Sequence, residues 1–134
     1  MIVDLEAGGA ERALTNLVVS SNKEEFVHRV ICLSHGGFYE DMIRDSNIEL
    51  KSIGGEGISA LPGWLYKLSS ELRSFEPDIV QGWMYYPNLI ALTTLRFLIP
   101  FGHSKILWGI RCSDMNSQFY PKNLKRVIRL GKIM

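Results

Sequence analysis

Short apolar, β-rich runs alternate along this chain with segments of helical periodicity, and this alternation constrains the fold more than any other feature. The β-rich runs lie at 1–5, 26–34, 48–53, 78–83 and 105–110. Apolar residues at helical spacing follow at 10–18, 38–46, 61–75, from Pro87 to about Leu98, and at 122–134. Parallel strands need crossover connections, which helices usually provide. The alternation therefore predicts one α/β domain with a Rossmann-like parallel sheet and helices on both faces.

The helical spacing also predicts which residues face the core. The residues expected to face inward from the first two helices are Ala10, Ala13, Leu14, Leu17, Val18, Phe38, Met42 and Ile43. Trp64 falls at core spacing in the third helix and is expected to pack there. The first strand is short for the central strand of a sheet, and the helix at 122–134 has no stop signal, so we expect a fragment of a two-domain enzyme.

The composition excludes several functional classes. A net charge of +1 argues against a dedicated nucleic-acid binder, because such domains carry a clear basic excess. Cys32 and Cys112 form no CxxC motif and are predicted to be reduced thiols in the cytoplasm. The histidines are scattered and the acidic residues form no cluster, so no metal cofactor is predicted. No secretory signal is recognisable, which favours a cytoplasmic protein.

Charge is unevenly distributed along the chain. Residues 1–104 carry eight Lys/Arg against thirteen Asp/Glu, whereas residues 105–134 carry seven Lys/Arg against one acid. The basic residues of the last helix are Lys122, Lys125, Arg126, Arg129 and Lys132. Such a helix can rest on an anionic membrane surface, where lipid-linked acceptors are found. The alternative is a solvated basic face whose apolar side packs on the sheet.

Two adjacent glycines, Gly8 and Gly9, lie between the first β-rich run and the first helix. Backbone N–H groups at a helix N-terminus favour an anion, and glycine permits its close approach. This pattern predicts a site for a diphosphate, with Arg12 as a further candidate contact. The alternative is a plain β-to-α turn, with Glu11 suiting the helix dipole and Arg12 pointing to solvent.

A second set of candidates follows the fourth and fifth β-rich runs. These residues are Trp83, Tyr85, Tyr86, Asn88, Arg111, Ser113 and Asp114. Ligands of open parallel sheets bind beyond the carboxyl ends of the strands, where these residues are expected. Aromatic faces and an amide suit a sugar acceptor, and arginine suits a phosphate or carboxylate. The alternatives are core packing, above all for Trp83, and a surface ion pair between Arg111 and Asp114.

Three stretches together resemble a known family. GGAER at 8–12, PDIVQGWMYYPNLIA at 77–91 and ILWGIRCSD at 106–114 resemble family-4 retaining glycosyltransferases of the GT-B fold. The resemblance covers only the N-terminal, acceptor-side domain of that family. Many members carry a histidine at the end of the fourth strand, where this chain has Gln81-Gly82-Trp83. Arg111 likewise stands where many members carry a histidine, and it is expected to contact an anionic acceptor or the donor diphosphate.

The resemblance implies a function in the synthesis of a polysaccharide, a lipopolysaccharide or another glycoconjugate. Gly8, Gly9 and Arg12 would contact the diphosphate of a nucleotide sugar, and the second set of candidates would hold a glycan or lipid-linked acceptor. The donor-binding domain and its paired glutamates would lie outside these residues, so the isolated domain is expected to be inactive and to self-associate. The alternative is a non-catalytic Rossmann-like module that binds a nucleotide or a protein partner.

Overall fold

A computed structural model of the chain describes residues 1–54, 61–100 and 102–110, together with Lys122, Lys125, Arg126 and Arg129. The fold is mixed α/β, as predicted. The described strands are β1 (Arg29–Cys32), β2 (Glu49–Ser52), β3 (Ile79–Trp83) and β4 (Lys105–Gly109). The described helices are α1 (Gly9–Ser20), α2 (Glu40–Asp45), α3 (Leu61–Phe75) and α4 (Tyr85–Thr93), which continues as a π-helical segment, Thr94–Leu98. β1 pairs with β2 and β3 with β4, both in parallel, which gives two small sheets.

The N-terminal segment, Met1–Val3, joins the two sheets through backbone hydrogen bonds. Towards β1, the N–H of Ile2 donates to the carbonyl of Ile31 at 3.0 Å. Towards β3, the amino group of Met1 donates to the carbonyl of Gln81 at 2.7 Å, and the N–H of Trp83 donates to the carbonyl of Met1 at 2.9 Å. The predicted first strand is therefore a short bridging segment between β1 and β3.

Two clusters of buried apolar residues lie on opposite sides of β1. The first core cluster is Met1, Ile31, Leu33, Ile53, Leu68, Leu72, Val80, Ile90, Ala91 and Leu95. The second core cluster is Ile2, Leu5, Ala10, Leu14, Val18, Val30, Cys32, Ile43, Ile48 and Trp83. Successive residues of β1 alternate between the clusters, because side chains alternate between the faces of a strand. Consequently α3 and α4 cover one side of β1, and α1 and α2 cover the other.

Three predictions about inward-facing residues are wrong, because Leu17, Phe38 and Met42 are 48%, 71% and 49% exposed. The buried stripe of α1 includes Thr15 instead of Leu17, so the packed face is rotated from the one expected. Helix α2 has six residues and begins after Phe38, which leaves Ile43 as its buried position. Six residues make fewer than two helical turns, which is too few to bury a wide apolar face.

The boundaries of other elements also differ from the prediction. The strand expected at 26–34 spans only Arg29–Cys32, because the preceding residues turn, with the N–H of Phe26 donating to the carbonyl of Asn22 at 2.9 Å. Pro87 lies in the first turn of its helix, as predicted. Trp64 packs against the first core cluster and donates to the carbonyl of Gly54 at 2.7 Å.

Candidate functional site

The carboxyl ends of the parallel strands define the edge where ligands of such sheets bind. Because Met1–Val3 lies between β1 and β3, the connection 4–8 and the start of α4 leave the strands at this shared edge. Helix α1 packs in the second core cluster and α4 in the first, so the two helices leave towards opposite faces. In doubly wound sheets, ligands bind between helices that diverge in this way from neighbouring strands.

Helix α1 begins without a side-chain cap. Gly8 is the N-cap residue in extended conformation, with φ −128° and ψ 171°. The N–H of Arg12 donates to the carbonyl of Gly8 at 3.0 Å, which closes the first turn. The N–H of Gly8 donates to the carbonyl of Glu6 at 2.8 Å. The N–H groups of Gly9, Ala10 and Glu11 have no acceptor four residues earlier within the helix, so they can bond to water or an anion. Gly9 is exposed, with no atom within 4 Å of the place that a Cβ would take.

The Glu11 carboxylate folds back over Gly8. A methyl group on Gly8 would lie 2.9 Å from Cδ of Glu11. The negative side chain therefore occupies the approach to the helix N-terminus, where the dipole favours it. Arg12 is exposed, in agreement with the solvent-facing alternative. An external anion at Gly8 requires Glu11 to turn away.

At the end of β3, α4 packs its first turn directly on the strand. A methyl group on Gly82 would lie 2.9 Å from the backbone nitrogen and Cα of Asn88. Between them, Met84 has φ 67° and ψ −175°, a conformation that costs a non-glycine residue about 1–3 kcal/mol. Its N–H donates to the carbonyl of Gly109 at 2.7 Å, which ties this strained residue to β4. Sequence reasoning missed Met84, because methionine carries no signal for positive φ. Gly82 inside a strand run was the available signal for the close approach.

Asn88 is buried with its polar atoms unpaired. The side chain is 1% exposed, and neither its amide nitrogen nor its oxygen has a hydrogen-bond partner in the described part of the chain. An unpaired buried polar group costs about 1–3 kcal/mol. The hydroxyl of Thr15 on α1 is similarly buried and unpaired among the described residues. Such groups invite a functional explanation, and Asn88 lies at the predicted edge.

The aromatic candidates differ in accessibility. Trp83 is 7% exposed and packs in the second core cluster, which agrees with the packing alternative. Tyr85 is half-buried, and Tyr86 is 40% exposed. Of these three rings, that of Tyr86 is the most available to a ligand.

Three candidates, Arg111, Ser113 and Asp114, lie outside the described residues. Four basic positions of the last helix, Lys122, Lys125, Arg126 and Arg129, are helical and exposed. Their exposure agrees with both alternatives for that helix.

Burial changes the titration of two groups near the strands. It raises the pKa of the Cys32 thiol to about 12, so this cysteine stays protonated and is a poor nucleophile. It lowers the pKa of the Met1 amino group to about 6. His28, which contacts the Ser21 hydroxyl at 2.6 Å, also has a pKa lowered by burial.

Comparisons with known proteins add no support to the resemblance to glycosyltransferases, which depends on the three sequence stretches at 8–12, 77–91 and 106–114 alone. No family model, curated protein or solved structure matches the chain. Across the described ranges, no group of three or more His, Cys, Asp or Glu side chains is arranged to hold a metal ion. Among the described helices, none combines the length and apolar character that crossing a membrane requires.

Proposed function

We propose that this chain forms the acceptor-side domain of a nucleotide-sugar-dependent hexosyltransferase, built on a Rossmann-like sheet. The position of Met1–Val3 between β1 and β3 carries the proposal. From this segment the chain goes to β1 and β2 on one side, and later to β3 and β4 on the other. Doubly wound sheets bind their ligands where the strand order reverses in this way.

The N-terminus of α1 is proposed to contact the donor diphosphate through Gly8 and Gly9, with Arg12 nearby. The first turn of α1 supports this role, because it has no side-chain cap and the N–H groups of Gly9, Ala10 and Glu11 lack an acceptor within the helix. When the glycosidic bond breaks, the leaving diphosphate gains negative charge, and preorganised N–H donors stabilise that charge. Glu11 then acts as an internal competitor, because its carboxylate occupies the same end of the helix.

The acceptor is proposed to lie along the start of α4. The exposed ring of Tyr86 supports stacking on a sugar, and the unpaired amide of Asn88 supports a polar partner at this edge. Tyr85 and Arg111, Ser113 and Asp114 complete the proposed acceptor site, whereas Trp83 is proposed to support it by packing. A glycan or lipid-linked acceptor fits this set, and the exposed basic positions of the last helix suit a membrane surface.

Catalysis is proposed to require a second, donor-binding α/β domain outside these residues. The 134 residues alone are expected to show no sugar transfer from any nucleotide sugar. A parent reading frame that continues with an α/β domain and paired glutamates supports the enzyme. Transfer by the isolated domain, or a parent frame without that domain, contradicts the proposal and favours the non-catalytic module.

The diphosphate site is tested by titrating the ¹⁵N-labelled chain with uridine diphosphate, guanosine diphosphate and inorganic pyrophosphate. We expect amide shifts to concentrate at Gly8, Gly9 and Arg12. Two unit charges 4 Å apart repel by about 1 kcal/mol even in water, so Glu11→Gln should tighten binding at least about fivefold. Asp41→Asn removes the same charge from the first turn of α2 and should leave the affinity unchanged. Absent shifts at these amides, or equal effects of both variants, contradict the site.

A further inference from the structure

The connection between α4 and β4 runs along the amino edge of the strands. Its sequence reads FLIPFG at 97–102, and we call these residues the apolar turn. Within it, the N–H of Gly102 donates to the carbonyl of Ile99 at 3.1 Å. Because β3 and β4 are parallel, α4 brings the chain back to the edge opposite Gly8 and Asn88.

Three contacts attach the apolar turn to the fold. Ile99 packs against the first core cluster. Just after the turn, the hydroxyl of Ser104 donates to the carbonyl of Pro77 at 2.5 Å, and the N–H of Lys105 donates to the carbonyl of Asp78 at 2.8 Å. These contacts hold the turn beside the start of β3.

Apolar side chains of the turn are exposed to solvent. Phe97 is 66% exposed and Leu98 is 38% exposed, and Pro100 is exposed as well. Leu95, two residues before Phe97, is instead buried in the first core cluster. Exposed apolar side chains that lie together on a protein surface mark a site for a protein or membrane partner.

Cationic side chains accompany these apolar ones. The guanidinium of Arg73 on α3 donates to the carbonyl of Leu98 at 2.8 Å, so a positive charge lies directly beside the turn. Arg96 precedes the turn and Lys105 follows it, and both are exposed. The ion pairs among the described residues involve other cations, namely Arg29, Arg44 and Lys51. The three cations at the turn can therefore pair with an external anion.

The size and the charge of this surface favour a lipid bilayer over a protein partner. A stable protein interface buries about 800 Å² on each partner, which is more than three side chains supply. Apolar side chains that enter a headgroup region need no such area, and anionic lipids add to their affinity. The exposed carboxylates of Glu76 and Asp78 offset part of the local charge. Residues 105–134, however, carry seven Lys/Arg against one acid, which favours an anionic surface.

We propose that the apolar turn binds the surface of an anionic phospholipid bilayer. Phe97 and Leu98 enter the headgroup region, while Arg73 and Arg96 remain at its surface and pair with lipid phosphates. This contact is separate from the basic last helix, and it does not depend on the proposed sugar transfer.

The test is co-sedimentation of the full chain with phosphatidylcholine vesicles that contain about 30 mol% phosphatidylglycerol, compared with vesicles of phosphatidylcholine alone. The chain should bind the anionic vesicles more tightly. Phe97→Ser should weaken this binding at least about tenfold, because a phenylalanine side chain no longer leaves water. Arg96→Gln should weaken it about fivefold. The matched control is Phe26→Ser, which should change it less than about twofold, because Phe26 is 53% exposed but follows Glu24 and Glu25.

A second measurement reports where the turn lies in the bilayer. Phe97→Trp introduces an indole that should be quenched by brominated lipids in the same vesicles. Phe26→Trp introduces one that should not be quenched, and the parent chain gives the background from its own tryptophans.

Three results overturn the proposal. The first is a parent chain that does not bind anionic vesicles, or a Phe97→Ser variant that binds them like the parent. The second is binding that is lost with Lys125→Gln and Arg129→Gln together but kept with Phe97→Ser, because the last helix alone then holds the membrane. The third is a concentration-dependent dimer that Phe97→Ser dissociates, because a second copy then covers the turn.

Discussion

The buried amino group of Met1 makes the stability of the 134-residue chain depend on pH. This group is enclosed between β1 and β3 and donates to the carbonyl of Gln81 at 2.7 Å. Desolvation lowers its pKa from 8.0 to about 6, while the neighbouring Cys32 stays neutral because its own pKa is about 12. The folded state thus favours the neutral amine, and the unfolded chain binds the proton more tightly.

The free energy of unfolding should therefore fall as the pH decreases from about 8 to about 6. Two pKa units correspond to about 2.7 kcal/mol over the whole titration, and about 2 kcal/mol of this is lost between pH 8 and 6. With a urea m-value of about 2 kcal/mol/M, the unfolding midpoint should move by about 1 M over that interval. The measurement is urea unfolding followed by circular dichroism between pH 5.5 and 8.0, where the Cys32 thiol of the unfolded chain is still mostly protonated.

Acetylation of the Met1 amino group is the matched control, because it keeps one N–H donor and removes the charge. The acetylated chain should lose the dependence between pH 6.5 and 8. Burial also lowers the pKa of His28, so a smaller loss of stability remains below pH 6.5, which His28→Gln should remove. The same slope in the free and acetylated chains would refute the reasoning.

Three further predictions concern single side chains. Gly82→Ala places a methyl group 2.9 Å from backbone atoms of α4 and should cost about 1–3 kcal/mol of unfolding free energy, whereas Gly9→Ala meets no atom within 4 Å and should change it by less than about 0.5 kcal/mol. Arg29→Lys should lower Tm by several degrees, because the Arg29 guanidinium pairs with the carboxylates of Glu49 and Glu71 and lies 4.4 Å from the centre of the Phe75 ring. An unchanged Tm would show that these contacts do not stabilise the fold. The thiol of Cys32, 3% exposed, should react with a thiol reagent only as fast as the chain unfolds, and rapid labelling in native buffer would contradict its burial.

The alternation of β-rich runs and helices was sufficient to predict the α/β class and the positions of the main elements. It was not sufficient for their ends, because ends depend on tertiary contacts. Phe26 and Val27 look like strand residues but are exposed before β1 begins. Phe38 matched the helical spacing, although α2 starts two residues later. Hydrophobic periodicity shows which residues are apolar, but it does not show how many turns of a helix pack against the rest of the protein.

For the candidate site, the sequence predicted that Trp83, Tyr85, Tyr86 and Asn88 follow the carboxyl end of a strand, but it did not predict their local geometry. Asn88 was singled out, but its complete burial follows from the approach of α4 to Gly82, which spacing does not encode. The position of the Glu11 carboxylate over Gly8 depends on the Glu11 rotamer, which the sequence does not specify. The turn between β3 and α4 imposes the positive φ of Met84, and methionine has no preference for positive φ that would predict it.

The bridging position of Met1–Val3 has a consequence for synthesis on the ribosome. These residues leave the ribosome well before one of their neighbouring strands, β3, which is about 80 positions further along the chain. Both flanks of the segment can be bonded only after Trp83 has emerged. Contacts of such long sequence separation form slowly. The two sheets are therefore joined late, and until then Met1–Val3 has no partner on the side that faces β3.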